Sequence, residues 1–248
     1  TNGKTATEQL QITNQMKITA AVSNAARFYT ESNPTEFERT FYGYPENDRA
    51  NAVLSQGVLS TAATPESSVG TYHIKFTTLP TVGSNYLLVT EDNQEVTTST
   101  TMGTLTVMPL ALENASSTIS NNVFTYIAGV KQEPTVTITG YNDISIPKDN
   151  NWKLVYRNSA DEDVEPINAG TYTVVAKALD NSSVAGEKEV GMLTINPKSV
   201  TTESSEITIE AVSPVYDGTA KAPTSLTVKD GTQTIAATDY RSEERRVG

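Results

Sequence analysis

Imidazole and thiolate chemistry have little to work with in this chain, because its 248 residues include one histidine, His73, and no cysteine, while its 29 Asp and Glu leave glycosidase-like carboxylate pairs open by count. A Ser-His-Asp triad would have to be assembled around His73, yet no Gly-x-Ser-x-Gly turn is present to carry the nucleophile. Zinc ligation needs a second imidazole or a thiolate, and the sequence holds neither. His73 itself falls in GTYHIKF, on the polar side of an alternating run, where a solvated ring is the ordinary outcome. The densest group of oxygens is Asp161-Glu162-Asp163 in YRNSADEDVEP. Oxygen-rich loops can hold calcium, but this spacing matches no EF-hand, and a charged loop is usually just solvated. The expectation is a chain without catalytic residues, metal or cofactor. Aromatic stacking is the remaining chemistry. FYGYPEN sets Tyr42 and Tyr44 beside a turn as candidate contacts for a glycan, with Tyr141 and Trp152 as further rings. Trp152 lies on an alternating run that directs it into a core instead.

Charge narrows the partners. The formal net charge is −11 and the pI about 4.6, which argues against nucleic acid, since phosphate binding needs clustered Lys and Arg. No run approaches the roughly 18 apolar residues that a membrane helix requires. The opening TNGKTATEQL has no apolar core of a signal peptide, so the chain reads as an internal piece of something longer.

The elements that must position these residues are strands. Tyr72, Ile74 and Phe76 alternate with His73, Lys75 and Thr77; Trp152, Leu154 and Tyr156 alternate with Lys153, Val155 and Arg157. One apolar and one wet face is the pattern of antiparallel sheets that cover a core. Helical periodicity is weak throughout, with a single short turn expected around residues 47–54. The segments also repeat. Gly70-Thr71-Tyr72 recurs as Gly170-Thr171-Tyr172, GTLTVMP as GMLTINP, and FTYIAGVKQEPTVTI as PVYDGTAKAPTSLTV. Units of roughly 90 to 100 residues are too long for a solenoid and suit β-sandwich domains. A small polar residue, Gly, Thr and Tyr at a strand start predicts a tyrosine corner, in which the phenol hydroxyl bonds back to upstream backbone. Tyr72 and Tyr172 are the two candidates. Where antibody domains put a cysteine two residues later, this chain has Ile74 and Val174.

On these residues a family resemblance rests. The stretches ITAAVSNAARFYTESNP, SSVGTYHI, SNYLLV and GTLTV resemble the bacterial MBG domain of the YGX type. That family usually has Gly after its first motif Tyr, whereas Tyr29 is followed by Thr30. Residues 119–197 resemble the related Ig-like repeats of bacterial adhesins, through Tyr126, Gly129, Pro134, Val136, the strand from Trp152 to Asn158, and Ala169 to Tyr172. The resemblance implies an all-β fold of tandem immunoglobulin-like antiparallel β-sandwiches on a bacterial surface protein, extracellular or secreted.

The expected organisation is therefore a trailing strand of a preceding repeat (1–14), an MBG-like sandwich (15–110), an Ig-like repeat (117–198) and a truncated third repeat (205–240). The last eight residues, RSEERRVG (241–248), break the alternation expected after Tyr240 and resemble the translation of a widely used sequencing adapter, hence a non-native tail. The implied function is structural: a spacer that projects other domains of an adhesin-like protein. The alternative is direct binding of host or dietary glycans, mucin included, by one sandwich, with neighbouring repeats as the other partners.

Overall fold

The computed structural model describes residues 14–198, 207–212, 215, 218–219 and 225–237. Nearly all of the expected trailing strand, the junction 199–206 and the tail 241–248 lie outside the described residues. Alternating apolar and polar side chains become strand almost wherever they occur, and among the described residues the result is all-β with one four-residue helix. The described residues fall into two units. The first comprises 14–115 with 139–145 and 180–185; the second comprises 116–138, 146–179 and the residues from 186 onward.

Ten strands come from residues 14–115: β1 (Met16–Val22), β2 (Ala25–Phe28), β3 (Arg39–Tyr42), β4 (Val53–Ser55), β5 (Val58–Thr61), β6 (Gly70–Thr78), β7 (Thr81–Val82), β8 (Tyr86–Val89), β9 (Gly103–Met108) and β10 (Leu110–Ala111). A 3-10 turn at Glu46–Asp48 leads into the helix α1 (Arg49–Ala52). The remaining strands are β11 (Ser116–Ser120), β12 (Val123–Thr125), β13 (Thr135–Thr139), β14 (Trp152–Arg157), β15 (Gly170–Ala178), β16 (Val184–Ala185), β17 (Glu187–Asn196), β18 (Ile207–Val212), β19 (Ser225–Asp230) and β20 (Gln233–Ile235).

Each unit carries a four-stranded sheet, and the two have the same plan. The orders are β2-β9-β6-β5 and β12-β17-β15-β14. In both, the first pair is parallel and the other two are antiparallel. Beside these lie β3-β1-β8 and β4-β7 in the first unit and β11-β13 in the second.

Purely antiparallel pairing therefore needs correction. The pairs β1–β8, β2–β9, β10–β16 and β12–β17 run parallel. Parallel neighbours need a long connection. In each four-stranded sheet the parallel partners are the earliest and latest of its strands along the chain, with the other two between them, so the connection is long enough.

The core follows the alternation. Along β6, Ile74 and Phe76 are buried while His73 is exposed; along β14, Trp152 and Tyr156 are buried while Lys153 is exposed. Ile18, Phe76, Tyr86 and Leu88 form one cluster and Phe37, Ile74 and Leu105 another, both in the first unit. In the second unit Tyr156, Val174, Leu193 and Ile195 pack together. Val174 is fully buried. Within the second unit, β18, β19 and β20 form a three-stranded sheet. Its Val228 and Ile235 bury against Ala128.

Candidate functional site

The two repeated tyrosines are built alike. Gly70 and Gly170 open their strands at φ of +155° and +159°, a backbone region that side chains with a Cβ rarely adopt. This turn swings the chain so that the ring two residues on reaches back over it. Tyr72 Oη donates to the Ser68 carbonyl at 2.8 Å, and Tyr172 Oη donates to the Asn168 carbonyl at 2.7 Å. Each bond spans four residues and ties a strand start to its preceding loop. Burial raises the pKa of Tyr172.

The other sequence candidates do not converge. Tyr42 is 47% exposed, and its hydroxyl donates to Glu91 Oε1 at 3.3 Å. Tyr44 is half-buried and packs, like Phe41, on the core around Phe76. FYGYPEN thus presents one free ring, not a flat row. Tyr141 is partly exposed, at a 3-10 turn. Trp152 is buried, and its indole Nε1 donates to the Ile146 carbonyl at 2.9 Å. His73 lies on the wet face of β6.

The acidic loop is internally satisfied. Arg157 pairs with Asp163 at 3.3 Å and with Glu187 at 3.0 Å, and Asp161 lies 3.8 Å from it. Asn158 Oδ1 accepts the backbone N–H groups of Ala160 and Glu162 at 2.9 and 3.1 Å. The carboxylates are spread around a cation, with Glu187 holding the Arg157 pKa up. Among the described residues no group of three metal-ligating side chains gathers at one point.

Thr30, the residue standing where the resemblance leads one to expect Gly, has φ of +67° and is fully buried. A branched residue is disfavoured there, and hydrogen bonds within the first unit hold it. Its hydroxyl donates to the Tyr29 carbonyl at 2.6 Å and accepts the Tyr141 N–H at 2.8 Å. The Asn142 side chain donates to the Thr30 carbonyl at 2.8 Å.

Sequence reasoning missed a cleft of about 430 Å³ between β3, α1 and β4, lined by Arg39, Thr40, Phe41, Tyr44, Arg49 and Gln56 among others. Nothing local marks it, since Arg39 and Arg49 are ten residues apart in unremarkable contexts. The one available signal was the scarcity of arginine in so acidic a chain. Next to Arg49 in the chain, Asp48 anchors the helical turn by accepting the Tyr86 hydroxyl and, at 2.7 Å, the Asn51 amide. The Tyr86 hydrogen bond first, then Asn51, holds the Asp48 pKa down.

The described residues define an all-β class of protein in which the same tyrosine bond occurs twice. Comparison with known families agrees with that class: residues 18–106 match the family model of the MBG domain (YGX type). A search of curated proteins returns no match. The matched segment runs from β1 into β9 and contains the first tyrosine bond, Thr30 and the arginine-lined cleft.

Proposed function

We propose that the chain is a repeat segment of a bacterial cell-surface, adhesin-like protein, in which immunoglobulin-like sandwiches in tandem act as spacers that project other domains. The observation that carries this reading is the recurrence of one sheet plan, β2-β9-β6-β5 and β12-β17-β15-β14, each with the same tyrosine bond four residues back. Function by repetition needs each unit to fold the same way, not to present a particular side chain. The MBG match at residues 18–106 fits a surface protein, and the acidic net charge of −11 suits an extracellular segment that must resist self-association. The test places a fluorescent reporter at the end of the chain displayed on a bacterial surface. Duplicating residues 117–198 should raise the reporter above the membrane by one fixed increment. An unchanged height would overturn the spacer role.

A further inference from the structure

The cleft beside α1 carries charge that nothing among the described residues uses. Four arginines fall among the described residues. Arg27 donates to Asn33 Oδ1 at 2.7 Å and to the Phe28 carbonyl at 2.9 Å, and Arg157 is ringed by Asp161, Asp163 and Glu187. Arg39 and Arg49 make no ion pair or side-chain hydrogen bond among the described residues. Both line the same cleft. A shortage of acids is not the reason, because the sequence has 29 Asp and Glu against 18 Lys and Arg. The neighbouring acid, Asp48, is engaged by Tyr86 and Asn51.

Arg39 shows the cost of this arrangement. It precedes Phe41 by two positions on β3, so both project from the same side of the strand. Phe41 packs on the core, and Arg39 is drawn in with it: its Nε is shielded from water and has no acceptor. A buried N–H without a partner is destabilising and calls for an explanation. Two like charges on one cleft add to the penalty. A bound anion removes both at once, and a guanidinium fork matches a carboxylate in two parallel bonds.

We propose that this cleft binds the carboxylate of an acidic sugar. The half-buried ring of Tyr44 and the neutral groups of Thr40 and Gln56 supply an apolar contact and hydroxyl partners for the sugar ring. A cleft of about 430 Å³ lies in the ordinary range for small ligands. The inference gives the glycan-binding alternative a defined place and ligand class, and it holds whether or not the repeats also act as spacers.

The test is calorimetric titration of the full chain at low salt with glucuronate, glucose, acetate, sulfate and N-acetylglutamate. Glucuronate should bind saturably, glucose should not bind at the same concentrations, and acetate should bind at least about tenfold more weakly. Arg49→Gln should weaken glucuronate binding about tenfold or more, as expected for one lost charge-assisted hydrogen bond. Because Arg49 is exposed and its charge faces Arg39 across the cleft, the variant's unfolding midpoint should not fall. Arg39→Gln should lose binding similarly, and if it fails to fold, Arg49→Gln alone decides. The proposal is overturned by absent glucuronate binding, by affinity unchanged in Arg49→Gln, by acetate or sulfate binding as tightly as the sugar, or by tighter binding of N-acetylglutamate, which would assign the cleft to peptide.

Discussion

Tyr172→Phe removes one oxygen from a ring that is 8% exposed and leaves its packing intact. What is lost is the 2.7 Å bond to the Asn168 carbonyl. A typical intramolecular hydrogen bond contributes about 1 kcal/mol net. Asn168 is exposed, so water can replace the missing donor and no orphan penalty is added. The expected cost is therefore about 1 kcal/mol, or a fall in Tm of about 4–8 °C for a unit of this size. Tyr172→Ala also removes the ring and should cost about 3–5 kcal/mol, the range for deleting a buried aromatic. The single tryptophan, Trp152, is buried in the same unit, so its fluorescence during urea unfolding reports this step. The midpoint should fall with an unchanged slope, since no extra surface is exposed. Tyr72→Phe, which breaks the equivalent bond in the other unit, should leave the tryptophan transition in place. A Tyr172→Phe midpoint within error of the parent would refute the structural role of the hydroxyl.

Gly170→Ala forces a Cβ into φ of +159° and should destabilise the same transition by about 1–3 kcal/mol, with Trp152 fluorescence again the readout. Thr30→Val keeps the branched side chain at φ of +67° but deletes two hydrogen bonds of its hydroxyl, so a loss of about 2 kcal/mol is expected in thermal unfolding. Thr30→Gly relieves the backbone while losing the same bonds and should cost less than Thr30→Val; the reverse order would refute the strain argument. Burial raises the pKa of Tyr29, Tyr156 and Tyr172 above the usual 10.0. The unfolded chain then gives up these protons first, so stability should hold up to about pH 10 and fall as pH rises beyond it. Urea midpoints measured from pH 7 to 11 check this, and a flat profile would contradict it.

Local order was legible in the sequence. β6 and β15 announce themselves because period-two alternation and a Gly-Thr-Tyr start depend only on neighbours, and Ile74, Phe76 and Val174 went where that alternation sends them. The closing strands were not legible. β2 pairs with β9 across some eighty residues, Ala25 facing Leu105, and an alternating strand looks the same whichever direction its neighbour runs. Tyr44 illustrates a second limit: composition flags an aromatic cluster, but only packing tells which ring turns inward. Arg39 and Arg49 show a third, because a strand and a helical turn bring them to one cleft and neither residue signals this alone. Thr30 stands where the family that this segment resembles usually has Gly, and its place becomes intelligible only with the hydrogen bonds that hold it.

The parallel pairing of β2 with β9 and of β12 with β17 has a consequence for mechanics. Tension on a covalent chain pulls the earlier of two such strands backward and the later one forward along a shared axis. Parallel partners are then loaded in shear, and every hydrogen bond of the Ala25–Phe28 and Val123–Thr125 ladders must fail together. Antiparallel hairpin ends would peel apart one bond at a time under the same pull. Each four-stranded sheet is thus clamped where force enters and leaves it.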